Sequence, residues 1–269
     1  MRFPAVSGKF YPADPYELRK MLDSLYKRVL EPDIHGEILG VIAPHAGMIY
    51  SGFSAMHSFR QLEESEIRKY VIMGTNHSSY RDGTFITSRG DWMTPLGLSG
   101  INSELARKIM ASCNWIIDDE ESNDDEYSVE IELPYLQFLF RNSFSFVPII
   151  IGDSSPVNAG RVARCLSEVD DNFIIISSSD MTHYENEGSV ESKDFEIMSR
   201  IVDLDTRGFY QTIERESISI CGSGPIATLM EYTKIKKGKI KILHHSTSAS
   251  VNGDTETVVG YASLVAYKA

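Results

Sequence analysis

Residues Ile38–Gly47 read ILGVIAPHAG. An apolar run of strand length stops at Pro44, and His45 follows among small residues. The run lacks the alternation of a half-exposed strand, so it suits a strand covered on both faces. The same arrangement recurs twice. Tyr70–Met73 (YVIM) leads into Gly74-Thr75-Asn76-His77, and Phe173–Ile176 (FIII) leads into Ser177-Ser178-Ser179-Asp180-Met181-Thr182-His183. Further apolar runs lie at Phe146–Ile151, Ile240–Leu243 and Val258–Val265. A helix beginning at Pro15 is marked by a capping box of Asp14 and Glu17, with Leu18, Met21, Leu22 and Leu25 on its inner face. Helical patterns also cover Ser51–Glu66, Ser103–Ser112, Ala159–Val169 and one long stretch, Glu191–Glu214. Strands alternating with helices predict one α/β domain over 1–269, with a mostly parallel central sheet flanked by helices.

In such a sheet, ligands bind outside the carboxyl ends of the strands. His45, His77, Asp180 and His183 all fall there. One histidine after a strand is an ordinary loop residue; the clustering is the signal. Cys221 joins them because Ile220-Cys221-Gly222-Ser223-Gly224-Pro225 runs into an apolar helical stretch. A thiol just ahead of a helix amino terminus is expected to have a lowered pKa. Cys113 and Cys165 read as small buried hydrophobes. His35 falls in a polar turn and His57 in a helix, while His244 and His245 follow a strand. The acidic segment Asp118–Glu126 reads as a surface loop, and Glu130 and Glu132 as exposed helical positions.

The formal charge of −12 disfavours nucleic acid and anionic lipid as partners. The stretch Lys234, Lys236, Lys237, Lys239 and Lys241 reads as a solvated turn. With 42% hydrophobic and 24% charged residues in 269, the chain can bury a large core and shows no sign of disorder. No apolar run reaches the roughly 20 residues of a membrane span, and the amino terminus lacks a signal-peptide core. Three cysteines without a CxxC pair argue against a disulfide scaffold and a zinc knuckle. A reduced, cytoplasmic protein is expected.

The segments PAVSGKFYPAD, APHAGMIYSG, GTNHS, DEYSVEIELPYLQ, SSDMTHY and ICGSGP resemble the Memo family, in that family's order and across most of the chain. Memo proteins resemble the class III extradiol dioxygenases in fold and pocket. The resemblance implies one pocket with His45, His77 and Cys221 as metal ligands, Asp180 and His183 beside them, and Asn76, Tyr127 and Gly222 in its lining. It also implies a single Fe or Cu ion, with Zn left open. Two departures stand out. The dioxygenases carry a glutamate where Cys221 stands, and a softer thiolate changes the metal preference, so ring cleavage does not carry over. The family usually has histidine at Tyr127, and a phenol with pKa of about 10 cannot shuttle protons near pH 7.

Three functions fit these residues. The first is a metal-dependent redox enzyme, with His183 as acid/base oriented by Asp180. The second is a metal-free cysteine hydrolase using Cys221, His183 and Asp180; no G-x-S-x-G elbow supports a serine counterpart. The third is an adaptor that binds a peptide or small molecule in the same pocket, as the signalling associations of animal Memo proteins suggest. The resemblance further implies an association with a radical-SAM partner system in microbes.

Overall fold

The computed structural model describes every residue except 32, 33, 35, 79, 80 and 142. The turn read at His35 thus lies outside the described residues. From the amino terminus the elements run α1 (Pro15–Arg28), β1 (Glu37–Ala43), α2 (Met48–Gln61), β2 (Lys69–Thr75), β3 (Thr84–Ile86), β4 (Asp91–Thr94) and β5 (Gly97–Gly100). Next come α3 (Ser103–Ser112), β6 (Ile117–Asp118), α4 (Leu133–Phe140), β7 (Ser145–Ile151), α5 (Pro156–Glu168), β8 (Ile174–Ser178) and β9 (His183–Glu185). The chain closes with α6 (Glu187–Val202), α7 (Thr206–Glu216), α8 (Ser223–Ile235), β10 (Lys239–Thr247), α9 (Ala249–Asn252) and β11 (Val258–Lys268).

The expected α/β architecture is present. The sheet runs β10-β11-β1-β8-β2-β7-β3-β6, with β9 paired to β11 and a separate β4–β5 hairpin. Its centre, β1-β8-β2-β7, is parallel, whereas β11 and β3 join on either side antiparallel. The sheet is therefore mixed, with the parallel part in the middle. Alternate residues of the central strands feed two cores. Val41, Ile72, Ile150 and Ile176 pack with α1, α2 and α4 on one face. Ile42, Val71, Ile149 and Ile175 pack with α3, α5, α6, α7 and α8 on the other. Alternation distributes each strand's side chains between the faces, and both are covered, which is why the runs read as continuously apolar.

Three expectations need correction. The predicted helix over 191–214 is two helices, α6 and α7, turned at Leu204 with φ 55°. Asn186 caps α6 through Ser189 N and Asp205 caps α7 through Gly208 N, so the capping aspartate wins over the apolar period. Cys113 and Cys165 are buried as expected but are joined by a disulfide across a Cα separation of 5.7 Å. The bond links the end of α3 to α5, two elements that packing on one face brings together. The acidic segment is only partly a surface loop, because Ser122, Asn123 and Glu126 are buried. Among the described residues, no helix is long and apolar enough to cross a membrane.

Candidate metal centre

The register of the central strands builds the site. Ala43 pairs with Ser178, and Met73 with Ser177. His45, His77 and Asp180 each lie two residues beyond the last residue of β1, β2 and β8. Adjacent parallel strands ending together place these three side chains at one edge. Ser179 N donates to Ala43 O at 2.9 Å, and Met181 N to Gly260 O at 2.9 Å, anchoring the loop after β8 to its neighbours.

Cys221 arrives from the other side, ahead of α8. Gly222 N donates to Ser179 Oγ at 2.9 Å. A Cβ on Gly222 would stand 2.4 Å from Ser179 Cβ and 2.6 Å from Ser178 O, so only glycine lets this turn approach the β8 end so closely. The thiol consequently sits 3.1 Å from His45 Nε2 and accepts from Asp180 N at 3.2 Å.

The ligand atoms of His45, His77 and Cys221 lie within 4.8 Å of one another, as do those of Asp180, His183 and Cys221. Each imidazole is anchored through Nδ1. His77 Nδ1 lies 3.0 Å from Glu126 Oε1 and His183 Nδ1 lies 2.6 Å from Ser219 O. Both partners accept in these contacts, so Nδ1 carries the hydrogen, and in the neutral ring it is Nε2 that has the lone pair. His45 Nδ1 lies 2.8 Å from Ser178 Oγ, a group that can give or take. Asp180 Oδ1 accepts from His45 N at 2.8 Å and Ala46 N at 3.1 Å. The expected orientation of His183 by Asp180 is thus replaced: Asp180 holds the His45 loop, and the Ser219 carbonyl orients His183.

Electrostatics overturn the lowered thiol. Burial pushes the Cys221 thiol well up, and the charge of Asp180 adds to it, while the Asp180 N–H and Ser179 hydroxyl pull the other way. Desolvation outweighs the helix end that follows. Burial also lowers His45 to about 4, despite the opposing charge of Asp180. Burial alone would raise Glu126, yet hydrogen bonds from His77 and Ser128 hold it below its ordinary range. Tyr127 is raised by burial and by the neighbouring Cys221 and Glu126, so it is a neutral phenol. Its ring stacks on His77 at 4.7 Å and meets Phe10 edge-on, making it a wall of the pocket. Asn76 Nδ2 donates to Arg81 O at 3.1 Å.

Sequence reasoning missed Glu126, Glu130 and Glu132, all fully buried. The expectation of exposed helical positions for Glu130 and Glu132 fails. Glu130 pairs with Arg2 at 2.6 Å and accepts from Tyr11 Oη at 2.6 Å, while Glu132 Oε1 lies 2.7 Å from Ser178 Oγ. A signal was present: Glu130 and Glu132 alternate with Val129, Ile131 and Leu133 in one short stretch. His244 and His245 stay outside the pocket. They belong to β10, with His244 stacked on His57 at 4.4 Å and His245 2.8 Å from Asp194.

A family model described as Memo, Memo-like protein, matches residues 2–265. A MEMO1 family protein of Thermoplasma volcanium is 45% identical over 266 residues, covering 99% of this chain and 98% of the relative. Another, from Thermoplasma acidophilum, is 44% identical over 264 residues, covering 98% of each. Among solved structures, an uncharacterized protein from Escherichia coli K12 has the same fold at a TM-score of 0.54 and 13% identity, over 83% of this chain and 99% of its own.

Proposed function

The chain belongs to the Memo family, and on that footing we propose that its pocket binds one iron or copper ion through His45, His77 and Cys221 for redox chemistry on a small molecule. The observation that carries this reading is the convergence of the three ligand atoms within 4.8 Å. The donor set fits: two imidazoles and one thiol suit a borderline or soft transition metal better than magnesium or calcium. Such an ion, when bound, supplies one-electron chemistry and open positions for a substrate or oxygen.

The protein's own groups divide the remaining work. Glu126 and Ser219 fix the orientation of His77 and His183. Asp180, through two backbone amides, holds the His45 loop against the end of β8. His183, with Nε2 free to accept, is positioned to take a proton from a bound substrate. Tyr127 narrows the pocket by stacking and carries no proton traffic near neutral pH. The hydrolase reading would need a thiolate beside an imidazolium. Burial works against both charges here, raising Cys221 and lowering His45.

Metal content of untagged protein, purified without oxygen, tests the proposal. About one equivalent of Fe or Cu in the wild type, lost in His45→Ala and Cys221→Ser with the fold intact, is expected. Protein that arrives metal-free and refuses added Fe, Cu and Zn would overturn it. Tight zinc that neither Fe nor Cu displaces would remove the redox assignment while keeping the site.

A further inference from the structure

Behind the pocket lies a buried ionisable group that the coordination does not use. Glu132 ends the 3-10 turn Glu130–Glu132 and is fully buried. Its Oε2 has no hydrogen-bond partner, and among the described residues no cation pairs with it. An ionised carboxylate in that setting would leave a desolvated oxygen uncompensated, whereas a neutral acid avoids the charge. Burial pushes its carboxyl well above the ordinary range, the Ser178 hydrogen bond opposes this, and the charge of Asp180 adds to it.

Hydrogen counting at Ser178 locates the proton. Three polar atoms surround its Oγ: Ser128 O at 2.6 Å, Glu132 Oε1 at 2.7 Å and His45 Nδ1 at 2.8 Å. A serine hydroxyl offers one hydrogen and two lone pairs. Ser128 O can only accept, so the hydroxyl hydrogen goes there. The other two neighbours must then donate. Any other assignment leaves either two oxygens, or a bare Nδ1 and the Ser178 oxygen, in contact with no hydrogen between them.

We propose that Glu132 is a positioning residue: as a neutral acid it donates through Oε1 to Ser178 and helps fix the hydroxyl that accepts from His45 Nδ1, the tautomer that leaves a bare Nε2 beside Cys221. Ser128 O keeps the hydroxyl hydrogen, so Ser178 cannot serve His45 as donor, and Glu132 and His45 are the two donors to its lone pairs. His45 Nε2 then accepts from the Cys221 thiol at 3.1 Å in the metal-free protein and is the ligand atom in the metal-bound one. The consequence for metal affinity rests on the proposed function; the proton on Glu132 and the tautomer of His45 do not.

The test therefore begins with metal-free protein. Infrared difference spectra of wild type against Glu132→Gln should show one carboxylic-acid C=O band at neutral pH that the variant lacks. Nitrogen NMR of labelled histidine should show His45 as the Nδ1–H tautomer in wild type and in Glu132→Gln, whose amide can still donate. Glu132→Met, of similar volume but without a donor, should keep that tautomer, since Ser128 O still takes the hydroxyl hydrogen. Added Cu(I) should bind Glu132→Gln within about threefold of wild type and Glu132→Met roughly 10-fold more weakly. Absence of the acid band, hydrogen on His45 Nε2 in wild type, or wild-type Cu(I) affinity in folded Glu132→Met would overturn the proposal. If the infrared and NMR results hold but no variant or wild type binds metal, the metal reading fails and the Glu132 assignment survives.

Discussion

Glu126 serves three donors at once: Oε1 accepts from His77 Nδ1 at 3.0 Å and Ser128 N at 2.8 Å, and Oε2 from His77 N at 2.7 Å. One carboxylate thus sets both the ring and the backbone of a proposed ligand. Glu126→Gln should weaken metal affinity by roughly 10–100-fold, read by chelator competition. An unchanged affinity would remove Glu126 from the site's support. Cys221 makes a second residue-level prediction. Its thiol is raised by burial, so binding a cation must expel that proton, while His45, lowered to about 4, has none to lose. Apparent affinity should then climb about tenfold per pH unit across the neutral range. A flat profile would mean the thiol is not a ligand. Glu126 lies in a recognisable motif, but its partner His77 is 49 residues away, and nothing local announces the contact.

At the scale of elements, the turn from Cys221 into α8 is held by proximity and has no room for a side chain. Gly222→Ala would drive a methyl into Ser179 and the Ser178 carbonyl. Overpacking of this kind costs about 1–3 kcal/mol. Denaturant unfolding should register that loss together with weakened metal binding; wild-type behaviour in both would show that the turn yields freely. Asp171 joins elements on the far side of the strands. It lies 2.7 Å from Lys69 on β2 and 2.8 Å from Lys108 on α3. Burial alone would raise its carboxyl, but the two lysines hold it down at about 2. Because the folded value is below the unfolded one, this stabilisation is complete above about pH 4 and disappears as pH falls through about 2. Asp171→Asn should be less stable than wild type at pH 7, with the gap closing between pH 4 and pH 2. A gap constant across that interval would contradict the ion pairs. The division of α6 from α7 belongs to this scale as well. Asp205 was readable as a cap, but Leu204 in a left-handed conformation was not, since only the packing of both helices on one face demands the turn.

Over the whole molecule, the Cys113–Cys165 disulfide spans 52 residues and ties α3 to α5 within the core opposite α1 and α2. Closing a loop of that length stabilises by about 4 kcal/mol in the chain-entropy account. Denatured, unreduced protein should react with a thiol reagent at Cys221 alone, and Cys113→Ala/Cys165→Ala should melt at a lower temperature. Three reactive thiols would refute the bond. Much of this architecture was legible along the chain. Apolar runs such as ILGVIA disclose strands buried on both faces, and the polar residues after them disclose the site, because both are patterns between near neighbours. Strand order, the antiparallel joining of β11 and β3, the disulfide and the burial of Glu126, Glu130 and Glu132 were not legible. Each depends on partners that meet only after folding: Arg2 reaches Glu130 across 128 residues and Glu132 reaches Ser178 across 46. Periodicity reports which face of an element is apolar; it carries no information on what packs there. The identity of the site's side chains was therefore written in local sequence, while their tautomers, charges and mutual distances were decided by the desolvation and hydrogen bonding that tertiary contact imposes.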